Sequence, residues 1–156
     1  MFRRHRPCAA RGYRRVLVLL DSRPESLDAF EIACRLAVDD RAALTALVVV
    51  DVPTSLPLDA HMSREEVEAR DLLERANATG DSYGVKVQPR IVRARGVGAE
   101  VLRTARADRA ELIVLGAPRR ELGAPRRRHP QPTLVDVLTQ APCRVMVVSD
   151  RGRQAA

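Results

Sequence analysis

The last third of the chain constrains the fold most strongly. An apolar run, ELIVLG, ends at Gly116; after an arginine-rich segment come a helical pattern, PTLVDVLTQ, and a second apolar run, CRVMVV. Open parallel sheets hold phosphates with this order of strand, glycine, helix and strand, because a helix N-terminus presents unpaired backbone N–H groups. The segment therefore predicts a parallel α/β sheet with a crevice at the end of one strand.

Apolar runs separated by segments of helical spacing continue through the rest of the chain. The predicted strands cover residues 14–20, 43–50, 85–92, 111–115 and 144–148. Strands that alternate with helices form one parallel sheet with helices on both faces. We therefore predict a single α/β domain with a Rossmann-like open sheet. If the first and fourth strands are neighbours, Asp21 and Gly116 face each other across the crevice.

Local signals refine three of these elements. Ser63 and Glu66 form an S-x-x-E capping box, which predicts a helix that runs to about Gly80. Pro89 lacks a backbone donor and so places the third strand at an edge of the sheet. The Gly96–Gly98 pair lacks the third glycine and the acidic partner of a dinucleotide fingerprint, so it indicates a helix entry.

Cysteine usage and hydropathy indicate a cytoplasmic protein. Cys8, Cys34 and Cys143 are odd in number and far apart, so neither a disulfide framework nor a zinc site is expected. Cys34 and Cys143 are interpreted as small core residues. No apolar run approaches the roughly 18 residues that span a bilayer, and the basic start is not followed by the apolar stretch of a secretory signal.

The net charge of +7 is unevenly distributed. Residues 1–15 hold six arginines and no acid, and residues 119–128 hold five arginines and one glutamate. We expect disordered tails over 1–13 and 150–156, and an arginine-rich loop insert over 119–130. This loop has three interpretations: a solvated loop, a phosphate clamp, or a membrane or nucleic-acid patch. Nucleic acid is disfavoured, since no aromatic residues alternate with the arginines.

Four segments together resemble the universal stress protein (UspA-type) family: the strand that ends at Asp21 before a turn, then ALVVVDVP, AELIVLG and VLTQAPCRVMVV. The resemblance covers about residues 14–149 and implies a sheet of order 3-2-1-4-5. It also implies a homodimer through the last strand, Arg144 to Val148. The segments SRPES, LPLDA and GAPRR further resemble universal-stress domains fused to amino-acid permeases. A membrane transporter or an anionic membrane surface is therefore a candidate partner.

The resemblance also locates a nucleotide site with a degenerate phosphate half. ATP-binding members carry a glycine, two residues, a second glycine, nine residues, and a final glycine with Ser or Thr. Gly116 matches the first glycine, although it also suits a tight turn. Arg119 replaces the second glycine, and Gln131 and Pro132 replace the final pair. Close backbone approach to a phosphate is thus lost at Arg119, and Pro132 has no N–H to donate.

The nucleoside half of this site is preserved in the sequence. Asp21 matches the acidic residue that meets the ribose and adenine, although an Asp at a strand end is often only a turn former. Val49 matches the position whose backbone contacts adenine. Arg119 and Arg120 offer charge and bidentate hydrogen bonds to phosphates, and Thr133 stands at the start of the following helix.

These features favour a non-catalytic regulatory or stress-response module with weak or no ATP binding. No nucleophile stands with a matching base, and no P-loop or G-x-S-x-G motif occurs, so enzyme activity is not expected. No cofactor is certain, and ATP is possible. The first alternative is an ATP binder with slow hydrolysis that uses the arginine-rich loop as a phosphate clamp. The second is a docking module for a membrane transporter or anionic lipid.

Overall fold

The computed structural model describes residues 12–118 and 132–149. These residues form alternating strands and helices: β1 (Arg15–Leu20), α1 (Pro24–Asp40), β2 (Ala43–Asp51), α2 (Ser63–Tyr83), β3 (Val87–Ala94), α3 (Val97–Ala107), β4 (Leu112–Gly116), α4 (Pro132–Gln140) and β5 (Arg144–Val148). The predicted loop insert and nearly all of both predicted tails lie outside the described residues. Tyr13, close to the end of the first tail, donates its amide N–H to Asp40 at 2.9 Å.

The five strands form one parallel sheet of order β3-β2-β1-β4-β5, which confirms the predicted fold class and strand order. Pro89 lies on the edge strand β3, as predicted. Chain order reverses between β1 and β4, which pair with Val18 opposite Val114. The carboxyl ends of these two strands therefore border the crevice that such a reversal creates.

Two apolar layers cover the sheet, one on each face. Val16 and Val18 of β1 point towards α1 and α2, where Phe30 is 1% exposed. Leu17 and Leu19 point to the opposite face, towards α3 and α4. Because successive side chains of a strand alternate between faces, β1 is apolar at every position from Val16 onward.

The predicted capping box at the start of α2 is wrong. Ser63 is the first helical residue, Met62 is the N-cap, and no side chain caps the helix. Glu66 instead forms an ion pair with Arg93 of β3. Its carboxylate is therefore drawn towards the sheet, away from the backbone N–H that a capping box would satisfy.

The same helix continues past Gly80, where the sequence predicts its end. A Cβ atom at Gly80 would meet the side chain of Val87, so this glycine provides space for β3 within a continuous helix. α2 ends at Tyr83, where Gly84 adopts a φ of 69°. That left-handed conformation is the usual helix-terminating role of glycine.

Both described cysteines are free thiols. Cys34 is fully buried in α1, and this burial raises the pKa of its thiol to about 11. Burial also raises the pKa of Cys143. These thiols are therefore protonated near neutral pH, which agrees with their predicted role as small packing residues. No helix in the described part of the chain has the length and apolar character needed to cross a membrane.

Candidate functional site

A small crevice lies at the carboxyl ends of β1 and β4, next to the start of α4. Its described lining consists of Leu19, Arg23, Leu115, Gly116, Ala117, Thr133 and Leu134. The enclosed volume is about 10 Å³, which is space for about one water molecule.

The turn between β1 and α1 is built around the buried hydroxyl of Ser26. This residue is 1% exposed; its Oγ accepts from the Asp21 amide N–H at 2.8 Å and donates to the Leu19 carbonyl at 3.3 Å. Pro24 begins α1 immediately after Arg23, where its lack of an N–H costs nothing. The turn therefore holds Asp21 and Arg23 at the end of β1.

Arg23 links the two sides of the crevice. Its Nε and Nη2 donate to Asp21 Oδ2 at 3.0 and 2.6 Å, and its backbone N–H donates to Asp21 Oδ1 at 2.9 Å. Nη2 also lies 3.4 Å from the Gly116 carbonyl oxygen. The expected juxtaposition of Asp21 and Gly116 is thus confirmed, and a guanidinium group fills the space between them.

Sequence reasoning missed Arg23, although a local signal exists. An arginine two residues after an aspartate at a strand end can fold back and form an ion pair with that carboxylate within the turn. Arg23 also takes part in a further interaction besides these.

Gly116 has a packing role that the sequence did not indicate. It lies within β4 and does not adopt a positive φ, so the tight-turn interpretation is wrong. A Cβ atom at this position would press against the backbone of Glu25 and Ser26 in the first turn of α1. The glycine is therefore required for the close approach of β4 to α1, whether or not a ligand binds.

The N-terminal ends of α3 and α4 meet at the same edge of the sheet. A Cβ atom at Gly98 would lie 3.3 Å from Thr133 Cα, so the two helices touch through a glycine. Gly96, with a φ of 93°, starts α3 and donates its N–H to Asp51 Oδ1 at 3.1 Å, which confirms the predicted helix entry. Helix N-termini carry partial positive charge, and the Asp51 carboxylate already accepts from the amide at the start of α3.

The structure brings only part of the predicted site together. Asp21, Gly116 and Thr133 lie at the crevice. Val49 lies on β2 opposite Val92 of β3, half-buried in the apolar layer beneath α3, and is not part of the crevice lining. Arg119, Arg120 and Gln131 lie outside the described residues.

Comparison with known proteins gives the same architecture. Residues 12–149 match the model of the universal stress protein family. A protein of that family from Burkholderia pseudomallei is 29% identical over 87% of this chain and 96% of its own, with a TM-score of 0.68. The universal stress protein UspA from Lactobacillus plantarum is 25% identical over 87% and 97%, with a TM-score of 0.69.

A structure with a bound nucleotide shares the fold at lower identity. The universal stress protein from Archaeoglobus fulgidus in complex with dAMP is 14% identical over 88% of this chain and 98% of its own, with a TM-score of 0.68. No curated protein sequence matches this chain significantly.

Replacement of Gly116 by alanine should destabilise the fold by about 3 kcal/mol, because the new methyl group overlaps backbone atoms that cannot rotate away. Gly84→Ala is the control: its surroundings are open, so only the left-handed backbone costs energy, about 1 kcal/mol. Urea denaturation measures both changes. Equal losses of stability in the two variants would show that α1 retreats from β4 without cost.

Proposed function

Since the chain belongs to the universal stress protein family, we propose that it is a non-catalytic regulatory module of the stress response whose crevice binds adenine nucleotides weakly. The observation that carries the proposal is the Arg23 guanidinium, which is bonded to Asp21 and lies beside the Gly116 carbonyl. The two described cysteines are free thiols, which supports a place in the reducing cytoplasm.

A bound nucleoside has to compete with Arg23 for the Asp21 carboxylate. Both oxygens of Asp21 already accept hydrogen bonds from Arg23. The two side chains are 33% and 27% exposed, so solvent screens their attraction and the pair can open at modest cost. A ribose hydroxyl is a neutral donor and makes a weaker bond to a carboxylate than a guanidinium does. Binding through Asp21 is therefore allowed but weak.

The phosphate side of the crevice has lost a backbone donor. Thr133 follows Pro132 at the start of α4, and Pro132 has no N–H to offer a phosphate. Arg23 is the one cationic residue among the described lining residues. The charge of Arg23 thus takes the place of part of the backbone N–H groups that would bind a phosphate. This replacement supports binding of nucleotides without strong selectivity for ATP.

A second candidate function is ATP binding with the arginine-rich loop as a phosphate clamp. Ala117 and Thr133 both line the crevice, so the segment between them begins and ends at its rim. Arg119 and Arg120 follow Ala117 directly in the sequence. Their guanidinium groups are of the type that binds phosphate bidentately.

The proposed module is a homodimer that pairs through β5. This strand forms one edge of the sheet, and its apolar side chains from Val145 to Val148 are only half-buried. An edge strand with apolar, incompletely covered side chains is a template for pairing with a second copy. The opposite edge strand, β3, contains Pro89, which has no N–H to donate to a neighbouring strand. It also carries Arg90 and Arg93, whose charges disfavour such pairing.

Calorimetric titration with ATP and adenosine tests the leading proposal. Wild-type protein should bind ATP no more tightly than the micromolar range. In Arg23→Ala the Asp21 carboxylate is released, so adenosine should bind up to about fivefold more tightly. Arg64→Ala is the matched control, since Arg64 forms an exposed pair with Glu68 on α2. Sub-micromolar ATP binding by wild type, or unchanged adenosine binding in Arg23→Ala, would contradict the proposal.

The same titration distinguishes ATP binding through a loop clamp from the leading proposal. If the loop arginines clamp the phosphates, Arg119→Ala should weaken ATP binding about tenfold, the effect of one lost charge-assisted bond, and leave adenosine binding unchanged. Equal affinity of Arg119→Ala and wild type for ATP rules the clamp out.

Light scattering after size exclusion tests the homodimer. Wild-type protein should have twice the monomer mass, and Met146→Lys, in the middle of β5, should be a monomer because charges on an edge strand oppose pairing. Ile91→Lys places the same side chain on the opposite edge strand and should stay dimeric. Circular dichroism verifies that both variants are folded. A monomeric wild type, or loss of the dimer in both variants, contradicts pairing through β5.

A further inference from the structure

A second polar cavity lies at the opposite end of the sheet. It has a volume of about 250 Å³, and its polar lining consists of Arg15, Thr45, Gln88, Arg90 and Asp108. Arg15 begins β1, whereas Asp21 follows the end of that strand, which separates the two sites by about 20 Å at the rise of a β-strand. The cavity is therefore distinct from the nucleotide crevice.

We propose that this cavity, here called the amino-edge cavity, binds a small oxyanion, namely inorganic phosphate or the phosphate group of a small metabolite. This inference goes beyond the proposed function, because it concerns different residues and does not require a nucleoside. It rests on a threonine hydroxyl at the cavity wall that forms no hydrogen bond to a described residue, and on two guanidinium groups that are held in place but not saturated.

Thr45 carries the hydroxyl. This residue is 7% exposed, lies on β2 and lines the cavity. Its hydroxyl forms no hydrogen bond to any described residue. A buried hydroxyl is normally satisfied by protein, water or ligand. The Thr45 hydroxyl is open to the amino-edge cavity, where water or a ligand can bond to it.

The two arginines are oriented by bonds that leave donors unused. Arg15 Nε donates to the Arg109 carbonyl at 2.9 Å, which leaves both of its Nη groups. Arg90 Nη1 donates to the two oxygens of Asp108 at 3.0 and 2.8 Å, which leaves Nε and Nη2. A guanidinium group has five N–H donors in a fixed plane. The remaining donors of both arginines match the needs of a tetrahedral oxyanion.

Charge in the amino-edge cavity also favours an anion. Among the lining residues, Arg15 and Arg90 outnumber Asp108, whose carboxylate is already engaged by Arg90, while the Glu111 carboxylate lies near Arg15 outside the lining. Cations often follow helix C-termini to offset the helix dipole, and Arg41 after α1 fits that explanation. Arg15 and Arg90 lie on strands, and their guanidinium groups bond just after the C-terminus of α3, to the Arg109 carbonyl and to the C-cap residue Asp108.

The test uses the full-length protein and inorganic phosphate, with sodium chloride at equal ionic strength as the blank. Amide NMR spectra should show phosphate-dependent shifts at Thr45 and Gln88. Arg15→Gln should weaken phosphate binding about tenfold, since one charge-assisted hydrogen bond is lost. Thr45→Val keeps the side-chain shape and removes the hydroxyl, and should weaken binding about threefold. Glycerol 3-phosphate, titrated in parallel, distinguishes a phosphate monoester from the free ion.

The matched control is Arg14→Gln, which makes the same charge change one residue away, at a position that does not line the cavity. It should bind phosphate like wild type, and Arg23→Ala should keep the phosphate-dependent shifts at Thr45 and Gln88. Equal weakening in Arg14→Gln and Arg15→Gln would indicate general attraction to a basic surface and overturn the proposal. Phosphate binding that depends on Arg23 alone, or the absence of shifts at Thr45, would overturn it as well. None of these results bears on adenosine binding in the crevice.

Discussion

The backbone of β4 touches the first turn of α1 at Gly116, and the crevice takes its shape from that contact. Because Gly116 has no side chain, the start of α1 lies directly against the strand end. Ser26 is then buried under the turn, where it ties Asp21 to Leu19. The same approach leaves Arg23 above the gap between β1 and β4, within reach of both.

Arg23 distinguishes this crevice from an open nucleotide-binding site. The acidic side chain that a ribose would use and the cation that a phosphate would use are bonded to each other. Their partial exposure keeps the pair exchangeable, since solvent screens the attraction. A site of this construction suits a ligand that is present at high concentration and is sensed rather than transformed. This is the physical basis of the regulatory role that we propose for this member of the universal stress protein family.

The two ends of the parallel sheet offer different chemistry to anions. At the carboxyl ends of the strands, the N-termini of α3 and α4 supply backbone donors and partial positive charge. At the amino ends, the helix C-termini supply carbonyl groups, so an anion can be held there only by side chains. Arg15, Arg90 and Thr45 provide such side chains in the amino-edge cavity. Because backbone donors are scarce at this end, the proposed oxyanion depends on the two guanidinium groups of Arg15 and Arg90.

The sequence by itself determined the five strands, their parallel arrangement and the edge position of Pro89, because side-chain alternation and the missing proline N–H are local properties of the chain. The resemblance supplied the strand order. Tertiary structure alone decided that Glu66 pairs with Arg93 rather than capping α2, and that Arg23 reaches the Gly116 carbonyl 93 residues away. Such contacts depend on which strand ends the crossover connections bring together. A local sequence pattern does not contain this information.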